Sequence, residues 1–349
     1  MMDRIRVVFM GSADLSAVML ERLARETDTV QLVGCVTQPD KPAGRNRKLM
    51  PCACKAFVDK MGIPCLTPQR VNTEESLAQI AAWLPDVIVV VAYGQILSRR
   101  LLDIPTLGCI NIHLSLLPRY RGASPIHAAL LAGDRVTGAS AMLMDEGMDT
   151  GPVLMKQETE ITPEDTLETL HDRLAEIGAE LLVKVLPKWA YFLVRPEPQN
   201  PELVVTAYKI KKSDGLLHWA DSTEIILRKI RAYTPWPSCF TYLQPDAKDK
   251  KKNPDAVLGK MVKVLAARAE SVDAQEAMCV PGTVLKADKG ELKIRTADGA
   301  LSVLRLQTAG GGAMDVQAWL CGHPYVVPGY AFITPPAPPV TPIEAYRRK

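Results

Sequence analysis

The strongest constraint on the fold is a regular alternation of short β-type runs and longer helical patterns over the first 190 residues. Runs rich in β-branched and apolar residues predict strands at residues 5–11, 30–37, 86–94, 108–115 and 136–144. Apolar side chains at helical spacing predict helices at residues 13–26, 51–62, 74–84, 124–133 and, as the longest, about 165–190. Val87–Val91 is apolar on both faces, as a strand between two helical layers requires. The pattern predicts an α/β domain with a Rossmann-like, mostly parallel sheet.

A second pattern begins after a proline-rich stretch, VRPEPQNPE at residues 194–202, whose three prolines interrupt regular structure. Residues 282–307 alternate apolar and polar side chains at period two, with DKG and ADG as turn signals. This alternation is typical of antiparallel strands in a small β-barrel. The predicted organisation is a first domain at 1–194, a linker at 195–205, a barrel domain at 206–334 and a proline-rich tail at 335–349.

The composition is that of an ordinary soluble protein. The chain has 349 residues, 47% of them hydrophobic, and its N-terminal apolar run is too short and too charged for a signal peptide or a membrane span. Eight cysteines occur without CxxC pairs, and five histidines occur without HxxxH or HExxH spacing. We therefore expect a cytoplasmic protein with free thiols, no membrane association and no metal site.

The net charge of +3 is divided unevenly along the chain. Residues 1–195 carry 21 basic and 23 acidic side chains, a net −2, whereas residues 196–349 carry 21 and 16, a net +5. A mildly basic C-terminal part suits a polyanionic partner, although the asymmetry alone is weak support. The lysine-rich stretch at 248–252 is predicted to be a solvated loop, with a nucleic-acid contact as the alternative.

The stretch GCINIHLSLLPRYRG, which begins at Gly108, places two polar residues in an apolar strand. Because residues i and i+2 share a face, Asn111 and His113 are expected side by side near the carboxyl end of the strand, where open α/β sheets bind ligands. An amide and an imidazole together can stabilise an oxyanion and assist a proton transfer. Asp149 follows the next predicted strand, so it is expected at the same edge of the sheet, where it would orient the imidazole.

Non-catalytic interpretations of these residues stay open at this point. Asn111 and His113 could be a hydrogen-bonded structural pair, and an aspartate in a glycine-rich loop usually serves a turn. Other catalytic signatures are missing from the sequence, since no G-x-S-x-G pattern surrounds Ser115 and no P-loop pattern occurs. The first strand-to-helix turn, GSADLSA, has one glycine where a dinucleotide-binding turn needs several.

The stretch GCINIHLSLLPRYRGASPI, followed by MDEGMDTG, resembles the folate-dependent formyltransferases, whose shared signature is N-x-H-x-SLLP with a downstream D-x-G. The resemblance implies that Asn111, His113 and Asp149 are the catalytic trio and that 10-formyltetrahydrofolate is the formyl donor. It assigns the folate site to two segments, which comprise Ser115, Leu116, Leu117 and Pro118, and Tyr93, Gly94, Gln95, Ile96 and Leu97.

Within this family, the likeness is greatest to the members that formylate the α-amine of initiator methionyl-tRNA, and it extends over nearly the whole chain. TQPDKPAGRNRKL, residues 37–49, resembles the loop that inspects the end of the acceptor stem, and the C-terminal part resembles an OB-like barrel that contacts the tRNA. Pro39, Pro42 and Gly44 are expected to keep this loop out of helix or sheet, so that its cations reach an RNA groove. The predicted tRNA-binding residues are Lys41, Arg45, Arg47, Lys48 and Lys209, of which Arg45 matches the family's discriminating arginine.

Three alternative functions are compatible with parts of the sequence. A formyltransferase that acts on a nucleotide sugar or hydrolyses its cofactor is opposed by the basic loop and the basic C-terminal part. A noncatalytic RNA-binding protein on an enzyme fold is opposed by the intact trio, and a nicotinamide oxidoreductase by the weak glycine pattern. We expect the protein to be a monomer.

Overall fold

The chain is described by a computed structural model over residues 4–43, 48–245, 251 and 257–335. The described residues form two compact units. The first lies within Met1–Ile126, Arg135–Thr162 and Thr169–Ala207, and the second within His127–Asp134, Pro163–Glu168 and Tyr208–Lys349. No helix in these described ranges is long and apolar enough to cross a membrane.

The first unit contains both strands and helices. Its strands are β1 (Ile5–Gly11), β2 (Val30–Val36), β3 (Lys41–Ala43), β4 (Lys48–Met50), β5 (Cys65–Leu66), β6 (Val87–Val91), β7 (Cys109–His113), β8 (Arg119–Gly122), β9 (Val136–Leu143), β10 (Val153–Glu160) and β11 (Val205–Ala207). The α-helices with bounds inside the described residues are α1 (Asp14–Ala24), α2 (Ala53–Met61), α3 (Glu74–Ala82), α4 (Arg99–Leu102), α5 (Pro125–Ala132), α6 (Leu167–Ala190), α7 (Thr223–Tyr233) and α8 (Val316–Cys321).

Seven strands of the first unit form one sheet in the order β10-β9-β7-β6-β1-β2-β5. The pairs β1/β2, β1/β6, β6/β7 and β2/β5 are parallel, whereas β9 is antiparallel to both β7 and β10. The predicted strands correspond to β1, β2, β6, β7 and β9, and the predicted helices to α1, α2, α3, α5 and α6. The predicted α/β class with a mostly parallel sheet is therefore confirmed.

The middle of this sheet explains where a ligand crevice forms. All five residues of β6 are at most 6% exposed, because an uninterrupted apolar strand is stable only with both faces covered. The strand order reverses at β1, which has β2 on one side and β6 on the other. In open α/β sheets a crevice forms outside the carboxyl ends of the strands at such a reversal. In the sheet, only β6 separates β7 from β1.

The second unit is antiparallel, as the period-two pattern predicted. Its strands are β12 (Cys239–Leu243), β13 (Met261–Glu270), β14 (Val284–Asp288), β15 (Glu291–Arg295), β16 (Ala300–Thr308), β17 (Met314–Asp315) and β18 (Phe332–Ile333). They form a sheet in the order β14-β15-β16-β13-β12-β18, with β17 beside β16, that is curled into a half-barrel. The DKG and ADG signals fall at the β14–β15 and β15–β16 turns. The predicted barrel-type fold of the C-terminal part is confirmed.

One local prediction was wrong. The stretch around Pro39 and Pro42 was expected to avoid sheet structure, but β3 and β4 pair as an antiparallel hairpin in which Pro42 lies opposite Leu49. A two-stranded ribbon accepts proline because the ring can occupy a position whose missing N–H would face away from the partner strand. The residues between the two strands, including Gly44, lie outside the described residues.

The predicted linker, residues 195–205, lies within the first unit. Glu197 exchanges two backbone hydrogen bonds with Val153, at 2.9 and 2.8 Å. Farther along, β11 pairs in parallel with β8 through Val205–Ala207. Most of the predicted tail, and all but one residue of the lysine-rich stretch at 248–252, lie outside the described residues.

Gly34 in β2 provides a test of core packing. A Cβ atom at this position would lie 2.3 Å from the Trp83 ring, so Gly34→Ala must displace the indole. Overpacking of this kind costs about 1–3 kcal/mol, so the melting temperature followed by circular dichroism should fall. Gly312→Ala is the control, because nothing lies within 4 Å of its added Cβ. Equal melting temperatures for the two variants would contradict this packing.

Candidate active site

Two polar side chains of β7 lie on one face of the sheet, as their spacing predicted. Asn111 is half-buried, and His113, at the carboxyl end of the strand, is 6% exposed. The neighbouring residues Ile110 and Ile112 point to the opposite face and are buried. Period-two geometry therefore accounts for a polar pair in an otherwise apolar strand.

Asp149 joins this pair through its carboxylate. Its Oδ1 accepts a hydrogen bond from Asn111 Nδ2 at 3.3 Å, and its Oδ2 lies 3.6 Å from His113 Nδ1. Oδ2 also accepts a hydrogen bond from the backbone N–H of Gly122 at 2.8 Å. The structure thus brings together the three residues that the sequence singled out for catalysis.

Asp149 reaches the pair by a different route from the predicted one. The strand before it, β9, is antiparallel to β7, so its last residue Leu143 lies opposite Ile110 near the start of β7. The following loop must return over the face that carries Asn111 and His113 to bring Asp149 into contact with them. The predicted reason, a shared carboxyl edge, was wrong because the direction of β9 is not encoded in its hydrophobic pattern.

A hydrogen bond of His113 places a proton on its Nε2. Its Nε2 lies 2.8 Å from the backbone oxygen of Tyr120, which can only accept, so Nε2 carries a proton. The other nitrogen, Nδ1, faces Asp149. Nδ1 is therefore the ring atom that can exchange a proton with Asp149 or with a substrate.

Both residues that face the His113 ring have unusual backbone conformations. Tyr120 has φ +62° and Asp149 has φ +54°, which is the left-handed region. This conformation costs a non-glycine residue roughly 1–2 kcal/mol and persists only where neighbouring contacts hold it. The positions of the Tyr120 backbone oxygen and the Asp149 carboxylate, which face His113, therefore depend on the contacts that hold these two backbones.

Gly122 is part of that support. It has φ +117°, and a Cβ atom there would lie 2.5 Å from the backbone oxygen of Ala207 in β11. Only glycine fits this conformation and this close approach. As a result, β8 lies tightly against β11 and its last N–H is aimed at Asp149.

The predicted folate segment at 115–118 is a closed turn. The Ser115 hydroxyl donates to the Arg119 oxygen at 2.6 Å, and the Leu117 N–H donates to the Ser140 hydroxyl at 3.0 Å. Ser115 and Leu117 are buried, whereas Leu116 and Pro118 are half-buried. Ser115 therefore shapes the turn, and the side chains of Leu116 and Pro118 form its accessible surface.

The second predicted folate segment alternates between buried and exposed residues. Tyr93 and Leu97 are buried, whereas Gly94 and Ile96 are exposed, Ile96 to 86%. The Gln95 amide accepts from the Val71 N–H at 2.9 Å and so holds the adjacent chain. Within the described residues the Tyr93 hydroxyl has no hydrogen-bond partner, and burial raises its pKa, which keeps it a neutral donor.

A cavity of about 370 Å³ opens beside this segment. Five of its six lining residues have polar side chains, and the lining comprises Gln38, Pro39, Asp40, Lys41, Gln69 and Gln95. Gln38 lies two residues after the end of β2, and Gln95 lies four residues after the end of β6. The cavity therefore lies at the carboxyl edge of the sheet, where the strand order reverses. This is the position at which α/β sheets hold ligands.

The predicted tRNA-binding residues are described only in part. Lys41, in β3 of the first unit, and Lys209, in the second unit, are exposed. Lys48 lies in β4, and its side chain is outside what the structure describes, as are Arg45 and Arg47.

Three residues near the trio were missed by the sequence analysis. Tyr120 and Gly122 contribute backbone groups, which carry no sequence signature of their own. Gln199, in the predicted linker, donates through Nε2 to the backbone oxygens of Asp149 at 2.9 Å and Gly151 at 2.7 Å. A lone glutamine in a proline-rich stretch offers no pattern from which this contact could have been found. Within the described ranges no group of three His, Cys, Asp or Glu side chains is arranged to hold a metal ion.

Comparisons with known proteins show the family and the fold of this chain. A family model described as formyl transferase matches residues 4–186, and one described as the formyl transferase C-terminal domain matches residues 209–324. HypX from Aquifex aeolicus, solved with tetrahydrofolic acid, is 17% identical with a TM-score of 0.55, over 91% of this chain and 47% of that one. The chain thus spans about half the length of HypX.

Two smaller proteins show the same fold. An N-formyltransferase from Helicobacter canadensis, solved with folinic acid and dTDP-3-aminofucose, is 14% identical with a TM-score of 0.58, over 87% of this chain and 99% of that one. A sugar N-formyltransferase from Shewanella sp. is 19% identical with a TM-score of 0.53, over 69% of this chain and 94% of that one. Because the two family models together match most of its length, the chain belongs to the formyl transferase family.

Proposed function

We propose that this protein transfers the formyl group of 10-formyltetrahydrofolate to the α-amine of methionyl-initiator-tRNA. The observation that carries the formyl-transfer part is the contact of Asn111, His113 and Asp149 in a single cluster. Membership of the formyl transferase family supports the same chemistry. The tRNA substrate is supported by the residues of the β3–β4 hairpin and by the charge of the C-terminal part.

The trio fits an addition–elimination reaction. The neutral amine attacks the formyl carbon, and the carbonyl oxygen becomes an oxyanion. When this intermediate collapses, the bond between the formyl carbon and the folate nitrogen breaks, and that nitrogen leaves after it takes up the proton that the amine has lost. An amide nitrogen has two N–H groups, so Asn111 can donate one to Asp149 and the other to this oxygen. His113 lies beside Asn111, and its Nδ1 is able to donate or accept a proton. Asp149 relays the proton that the amine loses.

The residues of the two folate segments fit a flat heterocycle. Ile96, Leu116 and Pro118 present apolar surface at the carboxyl edge of the sheet, and the exposed backbone at Gly94 offers hydrogen-bonding groups. The HypX and Helicobacter structures are named as complexes with tetrahydrofolic acid and folinic acid, which supports a folate cosubstrate in this fold.

The hairpin favours an RNA acceptor. Lys41, Arg45, Arg47 and Lys48 place four cations within eight residues, and Lys41 is exposed beside the polar cavity. Guanidinium groups bind phosphate by two parallel hydrogen bonds or stack on bases. The net charge of +5 over residues 196–349, including the exposed Lys209, adds attraction for a polyanion.

A nucleotide sugar is the second candidate acceptor. It is favoured by the likeness to the Helicobacter and Shewanella proteins, both of which are named as N-formyltransferases and the latter as a sugar enzyme. Purified protein supplied with 10-formyltetrahydrofolate should formylate methionyl-tRNA and leave a dTDP-amino sugar unchanged. Formylation of the sugar alone would replace the tRNA proposal, and the absence of both products would refute formyl transfer to either.

Removal of either oxyanion donor should slow the reaction strongly without unfolding the protein. Loss of one such donor typically lowers turnover about 10²–10³-fold, so Asn111→Ala and His113→Ala are each expected to show this loss in kcat. His171→Ala is the control, since His171 lies on α6 and contacts Asp172 on the surface. A variant of the trio with near wild-type turnover would contradict the assignment.

Arg45→Ala should impair use of the tRNA selectively. Loss of an arginine that binds phosphate or stacks on a base is expected to lower kcat/KM for methionyl-tRNA by about tenfold or more, with folate affinity unchanged. Arg99→Ala is the control, because Arg99 is exposed and paired with Asp103 at 2.9 Å. If the two variants have the same kcat/KM, the hairpin has no part in tRNA recognition.

A further inference from the structure

Gln199 connects the loop that carries Asp149 to the strand that carries Gly122. We infer that Gln199 is a positioning residue, which holds the Asp149 carboxylate against Asn111 and His113 by fixing the backbone on which it is carried. This inference rests on the proposed function of Asp149. Gln199 belongs to the stretch that the sequence assigned to a linker, so it has no place in the catalytic pattern of the sequence.

All the hydrogen-bonding capacity of the Gln199 amide nitrogen is directed at the Asp149 loop. Nε2 donates to the Asp149 oxygen at 2.9 Å and to the Gly151 oxygen at 2.7 Å, and an amide nitrogen has two N–H groups to give. The amide oxygen accepts from Arg121 Nε at 2.9 Å. Because a guanidinium group can only donate, Arg121 selects the orientation in which the amide N–H groups face the loop.

The support behind Gln199 is rigid on both sides. Two residues earlier, Glu197 exchanges two backbone hydrogen bonds with Val153 at the start of β10. Six residues later, β11 begins its parallel pairing with β8, the strand that contains Arg121 and Gly122. Residues 197–207, which we call the clamp segment, are therefore hydrogen-bonded to the start of β10 at one end and to β8 at the other.

The Asp149 loop needs such a support. Asp149 has a positive φ, and Met148 before it is 68% exposed. Hydrogen bonds within the loop, from the Gly147 N–H and the Thr150 hydroxyl to Asp145, close a turn but do not reach β7 or β8. A carboxylate on this loop keeps its place only if its own backbone is held, and a displacement of about 1 Å can cost about 10²-fold in rate.

Gln199→Glu removes the two N–H donors of the amide and keeps its oxygen acceptor, so it tests the bonds to the Asp149 loop separately from the bond to Arg121. The glutamate keeps an oxygen for Arg121 but turns an acceptor towards two backbone oxygens, so the loop is no longer held. We expect kcat to fall about 10–100-fold with little change in KM for the folate. Gln199→Leu, which lacks both groups, is expected to show the same split between kcat and KM.

The matched control is Gln157→Glu. Gln157, on β10, makes the same two kinds of contact on the surface, since its amide nitrogen donates to Glu180 and its oxygen accepts from Lys184. Its kcat should equal that of the wild type. Thermal unfolding of all variants shows whether any loss of rate follows loss of folded protein, which would overturn the positioning role.

A double-mutant cycle tests whether Gln199 acts through Asp149. In an Asp149→Asn background, adding Gln199→Glu should leave the residual single-turnover rate unchanged, because the group that Gln199 positions is already absent. Full additivity of the two losses would show that Gln199 acts independently of Asp149. That result would overturn the inference while leaving formyl transfer intact.

A measurement without turnover keeps the two proposals distinguishable. The ¹⁵N resonances of the His113 ring, identified by their loss in His113→Ala, report which nitrogen carries a proton. They should shift in Gln199→Glu and Gln199→Leu but not in Gln157→Glu. Unchanged resonances in both Gln199 variants would overturn the inference even if the protein proved inactive with every acceptor.

Discussion

The candidate site depends on one carboxylate. Asp149 accepts hydrogen bonds from the Asn111 amide and the Gly122 backbone, and it lies 3.6 Å from the His113 ring. It therefore connects three separate parts of the chain: the strand β7, the end of β8 and its own loop. A carboxylate with these neighbours orients both the amide and the imidazole, which must be placed before a reaction begins if they are to stabilise charge in its transition state.

The fold provides this arrangement by combining a rigid sheet with strained connections. Asn111 and His113 lie on a strand hydrogen-bonded on both sides, next to the fully buried β6. Their partners Tyr120 and Asp149 lie in turns with positive φ values. Strain of this kind is common where surrounding contacts over-determine the backbone at a functional site. Here the close approach of Gly122 to Ala207 and the bonds of Gln199 supply those contacts.

Much of the fold could be predicted because its signals are local. The five apolar runs became strands of one sheet, and the period-two stretch at 282–307 became β14, β15 and β16, since side-chain periodicity reports which faces are buried. The sequence does not predict the hairpin at Lys41–Ala43 and Lys48–Met50, because its prolines argue against strand structure. Proline excludes a residue from the interior of a sheet, but not from a short ribbon whose edges are open.

For the site, the sequence by itself determined which side chains are available and that Asn111 and His113 share a face, because alternation along a strand follows from backbone geometry alone. Only the tertiary structure decided that β9 runs antiparallel to β7, that Asp149 returns across the sheet, and that the clamp segment lies beside it. These contacts join Asn111, Asp149 and Gln199, which are 38 and 50 residues apart along the chain. Those of Gln199 and Gly122 use backbone C=O and N–H groups, which nearly every residue carries and which therefore leave no mark in the sequence.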